Sequence, residues 1–122
     1  MKQIYGAEPY YFNQEEIILK KIRNIIKSKQ LSSGKYVRKF EQNFSKAVNT
    51  SYSIAVNSGG TALEIALEAL NVKGKDVLVP TQTFVATPNA VVRAGGNPIF
   101  CDIEKNTGCL DPQDIIKKIT KK

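Results

Sequence analysis

Between Ser53 and Leu70 the chain reads SIAVNSGGTALEIALEAL, an apolar run that breaks at Gly59-Gly60 and restarts at once as an apolar helical pattern. The first N–H groups of a helix lack intrahelical partners, and its dipole makes that end partly positive, so an anion, phosphate above all, is the natural guest. Two glycines let the main chain turn sharply and approach such a ligand. Ile54, Ala55 and Val56 suit a strand buried on both faces, and the helix is expected to begin at or near Thr61. The backbone donors of Gly60 and Thr61 are then available to the anion. Other uses of these residues stay open: the glycines fit a bare tight turn, Thr61 fits a helix cap, and Asn57 and Ser58 can shape the turn or satisfy backbone groups there.

A second motif sharpens the first. Pro80-Thr81-Gln82-Thr83-Phe84-Val85-Ala86-Thr87 follows another apolar run at Val77–Val79 and opens another helical pattern. Ligands of open parallel sheets collect at the carboxyl ends of strands, where loops supply the contacts. Phe84 is either an aromatic wall beside a ligand ring or an ordinary buried aromatic. Gln82 and Thr83 are candidates for contacts just outside the ligand.

The same spacing excludes other chemistries. SGGTAL lacks the GxGxxG spacing of a dinucleotide fingerprint and has no Lys-Ser or Lys-Thr pair for a P-loop. The chain has no histidine, which removes the usual hydrolase triads, and its two cysteines, Cys101 and Cys109, make neither a zinc site nor a disulfide framework. No metal site is expected. Cys101 lies in an apolar run and reads as a packed residue.

The elements that position these residues alternate. Asn13 is expected to cap a helix over Phe12 to Ile26 with Glu15 and Glu16 in its first turn and Ile18, Ile22 and Ile25 on one face. After Ser32-Ser33-Gly34 a second helix carries Val37, Phe40, Phe44 and Ala47 at helical spacing, with Phe40 and Phe44 as core residues. From residue 51 the pattern is strand, helix, strand, helix, strand, with strands near 53–57, 76–79 and 98–103, which implies a parallel sheet with right-handed crossovers. The helix over 61–70 is apolar almost all round and is expected to lie deep against that sheet. Asn71 and Gly74 end it. A helix over 84–94 stops at Gly95-Gly96, and Asp111-Pro112 caps a last one. The fold class is α/β, with N-terminal helices followed by parallel βαβαβ. The expected organisation over 1–122 is a single incomplete unit, a helical segment at 1–50 and part of an α/β domain at 51–122. An incomplete sheet leaves an edge and apolar surface open, so marginal stability is expected.

The formal charge of +7 raises nucleic acid as a partner. Lys117, Lys118, Lys121 and Lys122 cluster at the tail of the last helix, the remaining cations are scattered, and no aromatic stacking platform accompanies them, so the charge reads as a solvated surface. The N-terminal MKQIYGAEPYYF has no apolar run of signal-peptide or membrane-span length. The expected location is cytoplasmic, with neither nucleic acid nor membrane as partner.

Taken in order, Leu31-Ser32-Ser33-Gly34-Lys35-Tyr36-Val37, Phe40-Glu41-Gln42-Asn43-Phe44, VNSGGTALEIAL, PTQTFVAT and FCDIEKNTGCLDP resemble the DegT/DnrJ/EryC1/StrS sugar aminotransferases, fold-type-I enzymes dependent on pyridoxal phosphate. The resemblance departs at Gly60-Thr61, where the family pattern has Thr directly after the first Gly. It implies that this chain is the N-terminal part of the cofactor-binding large domain. Gly59, Gly60 and Thr61 would anchor the cofactor phosphate, Phe84 would stack on its ring, and Ser58, Gln82 and Thr83 would stand close by. The implied activity is transfer of an amino group, usually from glutamate, to a nucleotide-linked keto sugar, in an enzyme that works as a homodimer. The family's cofactor-holding lysine and the carboxylate at the pyridine nitrogen belong downstream of Lys122, so no catalytic residue is assigned here. Neither Asp102 nor Asp111 is a catalytic acid by this resemblance, which also leaves dehydratase-like relatives open. A truncated, non-enzymatic remnant and a phosphate- or nucleotide-binding α/β module are the rival readings.

Overall fold

A computed structural model describes residues 13–119, which divide into two compact units between Ala55 and Val56. The first holds α1 (Glu15–Ser28) and α2 (Lys35–Ala47). The expected cap at Asn13 does not form. Asn13 sits at φ 55°, and Gln14 occupies the N-cap position without a side-chain bond, leaving Glu15 and Glu16 to face the helix's positive end. Phe12, the expected first helical residue, lies outside the described residues. Phe40 and Phe44, expected in a core, are 57% and 49% exposed and pack on each other with ring centroids 5.9 Å apart. Their helical spacing is real, but no buried layer covers that face within this unit.

The strand expected at 53–57 is also absent. Its residues form no ladder; instead the Ser53 hydroxyl donates to the Glu41 carbonyl, and the Ala55 N–H donates to Glu41 Oε1 at 2.9 Å. A side chain of α2 does here what a neighbouring strand would otherwise do.

The second unit runs α3 (Gly59–Ala69), β1 (Asp76–Pro80), α4 (Ala86–Arg93), β2 (Asn97–Cys101) and α5 (Pro112–Lys118). β1 and β2 pair in parallel, with Asp76 opposite Asn97 and Pro80 opposite Cys101, and α4 forms the crossover. Only two strands therefore make the sheet among the described residues, not three. Pro98 is tolerated because a strand in a two-stranded sheet has one side that need not donate to a ladder. Pro88 falls in the first turn of α4, where no intrahelical N–H is lost.

Among the described residues the buried ones are Val72, Val79, Ala90, Val91 and Cys101, and all belong to this unit. Gly95, at φ 78°, terminates α4, and its neighbour Gly96 sits so close to Val91 and Val72 that a Cβ there would lie 3.0 Å from one and 3.3 Å from the other. α3 does not lie deep against the sheet. It packs mainly on α4, and none of its residues is buried, with Leu63 and Ile65 left substantially exposed. Asn71 and Gly74 both take positive φ just beyond its end, as expected. α5 is held as its sequence predicts, with Asp111 Oδ1 accepting from the Gln113 N–H at 2.9 Å and Pro112 opening the helix. It is fastened at both ends to β2 and the residue after it: Asp114 in its first turn accepts the Asp102 N–H at 2.8 Å, and Lys118 at its end donates to the Phe100 carbonyl at 2.8 Å.

Candidate functional site

The site is built where α3 begins beside the start of α4. The helix starts at Gly59, two residues before the expected Thr61, because Ser58 is the N-cap: its backbone is extended and its Oγ accepts the Thr61 N–H at 3.2 Å. The Ser58 carbonyl accepts from the Ala62 N–H at 3.1 Å. The Thr61 donor is thus turned inward to its own cap. The N–H groups of Gly59 and Gly60 precede the first intrahelical bond and have no partner among the described residues. They are the two donors open at the positive end of the dipole.

An open concavity of about 760 Å³ lies at the residues that carry these donors. Ser58, Gly59, Gly60, Ala62, Leu63, Phe84, Ala86 and Thr87 line it. A Cβ at Gly59 would meet nothing within 4 Å, whereas one at Gly60 would touch the Ala86 Cβ at 3.6 Å. The glycine backbone therefore looks onto free space on one side and onto α4 on the other. Phe84 is 78% exposed, so it is not an ordinary buried aromatic. Its ring stands at the edge of the concavity, and no titratable side chain lines the wall.

Not every candidate residue gathers here. Thr61 lines instead a smaller, more polar concavity that shares Ser58, Gly60 and Ala86 with the larger one and adds Glu64, Asn89 and Arg93, where Arg93 Nε lies 3.6 Å from Glu64 Oε2. Gln82 and Thr83 are exposed and do not line the larger concavity. Thr87, Ala62, Leu63 and Ala86 do line it, and sequence reasoning did not single them out. For Thr87 the signal was available, since it stands three residues after Phe84 and four after Thr83 in a first helical turn.

The glycine-rich turn, the two open donors and the aromatic at the same mouth fit a flat heterocycle that carries a phosphate: the donors match the anion and the ring matches the heterocycle's face. The model of the DegT/DnrJ/EryC1/StrS aminotransferase family matches residues 13–122. The chain belongs to that family. It is 38% identical over 109 residues to a 3-oxo-glucose-6-phosphate:glutamate aminotransferase of Bacillus subtilis, covering 88% of this chain and 25% of the relative. It is 40% identical over 92 residues to the GDP-perosamine synthase of Escherichia coli O157:H7, covering 75% of this chain and 25% of the relative. Among solved structures, NtdA of Bacillus subtilis with bound cofactor PMP superposes with a TM-score of 0.85 at 33% identity, over 98% of this chain and 30% of that one. The chain spans about a quarter of the length of the curated relatives it matches. Its fold is that of the corresponding part of these enzymes.

Proposed function

We propose that this chain forms the phosphate-anchoring and ring-facing part of a pyridoxal phosphate-dependent sugar aminotransferase. The observation that carries the reading is that Gly59 and Gly60, whose N–H groups are open, line the same concavity as Phe84. The Gly59 and Gly60 amides donate to the cofactor phosphate, reinforced by the dipole of α3. Ser58 holds the turn that presents them. Phe84 offers its face to the pyridine ring, and Ala62 and Leu63 add apolar surface to the same wall. Pyridoxal phosphate, when bound, supplies the electron sink through which an amino group passes between two carbons.

For the complete enzyme the reading is amino transfer from glutamate to a keto sugar. Glutamate stands in the name of the first relative, and a GDP-linked sugar in that of the second. We take the nucleotide-linked keto sugar as the acceptor, a homodimer as the working state and the cytoplasm as the location. Among the described residues no helix is long and apolar enough to cross a membrane. The chain is read as one part of a larger folding unit whose remaining residues complete the site.

The test is a titration of the ¹⁵N-labelled chain, followed by NMR, with pyridoxal phosphate, with pyridoxal and with inorganic phosphate. Both phosphates are expected to shift the Gly59 and Gly60 amides, and both pyridine compounds the Phe84 ring signals. Shifts confined to other residues would remove the reading. Amino transfer itself is read on the complete polypeptide as ¹⁵N passing from glutamate to a GDP-linked keto sugar.

A further inference from the structure

The Phe84 ring is 78% exposed, so side-chain packing does not determine where it stands. Its position must come from the backbone of residues 81–87. That segment is pinned at one end, where the Thr81 N–H donates to the Cys101 carbonyl at 2.9 Å and so extends the β1–β2 ladder by one bond. It enters α4 at the other end without the usual help. The N-cap residue, Val85, has no side chain able to cap and already sits in helical geometry, with φ −53° and ψ −23°.

Two links close the segment around Phe84. The Thr87 N–H donates to the Phe84 carbonyl at 2.9 Å, and the Thr83 and Thr87 hydroxyls lie 2.8 Å apart. The hydroxyl pair is the one side-chain bridge across residue 84 among the described residues. Both partners are β-branched, so few χ1 rotamers are open to them and the bridge transmits position rather than flexing. Gln82 makes no such bond.

We propose that the Thr83–Thr87 hydroxyl pair is a clamp that holds the Phe84 ring at the mouth of the concavity, with Thr87 as a positioning residue that acts through Phe84. This deepens the cofactor reading given above and rests on it for its purpose, although the clamp itself is a property of the ligand-free chain. Unclamped, residues 82–85 would sample several backbone conformations. A flat ring bound against Phe84 would then have to order them on binding and lose affinity.

The experiment compares the T83V, T87V and T87S single variants and the T83V/T87V double variant, first without ligand and then with pyridoxal phosphate or inorganic phosphate. Valine keeps the β-branched shape and removes only the hydroxyl. In the ligand-free chain, NMR relaxation and line widths of the Phe84 ring and of the 82–85 amides are expected to report new motion in T83V and T87V and none in T87S. Pyridoxal phosphate is expected to bind on the order of threefold to tenfold more weakly to each valine variant, the range of one neutral hydrogen bond. The double variant is expected to be no worse than either single one, because one interaction can be lost only once. Affinity for inorganic phosphate should not change. Unaltered Phe84 signals in ligand-free T87V would overturn the clamp. So would additive losses in the double variant, or weakened phosphate binding in T87V, which would make Thr87 a direct ligand contact. If the wild-type chain ignores pyridoxal phosphate, the cofactor reading fails by itself and the ligand-free measurements still decide the clamp.

Discussion

Ser58 Oγ lies 3.2 Å from the Thr61 amide nitrogen and 3.0 Å from the Thr61 hydroxyl, so one serine caps the amide of the threonine that the sequence pattern offers to a phosphate and bonds its hydroxyl. Replacing Ser58 with Ala removes the cap of α3 and should cost about 1 kcal/mol of stability. Thermal or urea unfolding followed by circular dichroism measures it. Phosphate affinity should survive, since the Thr61 N–H released by the change can join those of Gly59 and Gly60.

Phe84→Ala separates ring recognition from folding. The side chain is mostly in solvent, so unfolding should change by less than about 0.5 kcal/mol, as for surface substitutions generally. Binding of pyridoxal phosphate should weaken by about 1 kcal/mol, the scale of one aromatic pair. Inorganic phosphate should bind as before. Isothermal titration of both ligands gives the comparison.

Gly96→Ala tests the packing that holds α4 on the sheet. Its new methyl would lie 3.0 Å from Val91 Cγ1 and 3.3 Å from both Val72 Cγ2 and the Val72 carbonyl oxygen. Val91 is 1% exposed and has little room to move, so a loss of about 1–3 kcal/mol is expected in urea unfolding.

The fastening of α5 depends on two charges that titrate far apart. The hydrogen bond from Lys118, followed by that from the Asp102 N–H, holds the Asp114 carboxyl below its ordinary 3.8. The hydrogen bond to Asp114 holds the Lys118 ammonium above its ordinary 10.5. A lowered acid contributes fully above its unfolded value and loses that contribution as pH falls through its folded one. A raised base contributes fully below its unfolded value and loses it as pH rises through its folded one. The contribution should therefore be flat between about pH 5 and 9, fall away in acid below 3.8 and fall away in alkali above 10.5. Amide exchange at Asp102 across this range is the measurement. Asp114→Asn should remove the acid limb, and high salt should flatten both limbs.

The parts of the fold legible in the sequence are those decided locally. Asp111-Pro112 announced a helix start, Gly95 and Gly74 announced ends, and Val77–Val79 announced a strand, because capping groups, positive φ and short apolar runs act within a few residues. The misreadings have two sources. Glu41, 12 and 14 residues back, bonds Ser53 and Ala55, and the apolar run that reads as a strand has no strand beside it among the described residues. Ser58, only three residues before Thr61, caps its amide, so the helix begins at Gly59 by a local signal that the glycines obscure. Periodicity reports which face of α2 or α3 is apolar, but not what covers it, and Phe40, Phe44 and Leu63 remain exposed for that reason. At the candidate site the glycines and Phe84 stood out by type and spacing. Thr87 carries a weaker signal of the same kind, its spacing of four residues from Thr83.

Among the described residues all five enclosed side chains come from positions 72–101. The interior of this polypeptide is thus assembled from near neighbours, at little loop-closure entropy, and a nascent chain can organise it as soon as residue 101 is free to fold. The glycine turn and α3 lie upstream of that cluster and pack on it through α4. A local opening that loosens α4 would therefore free the glycine half of the mouth along with it.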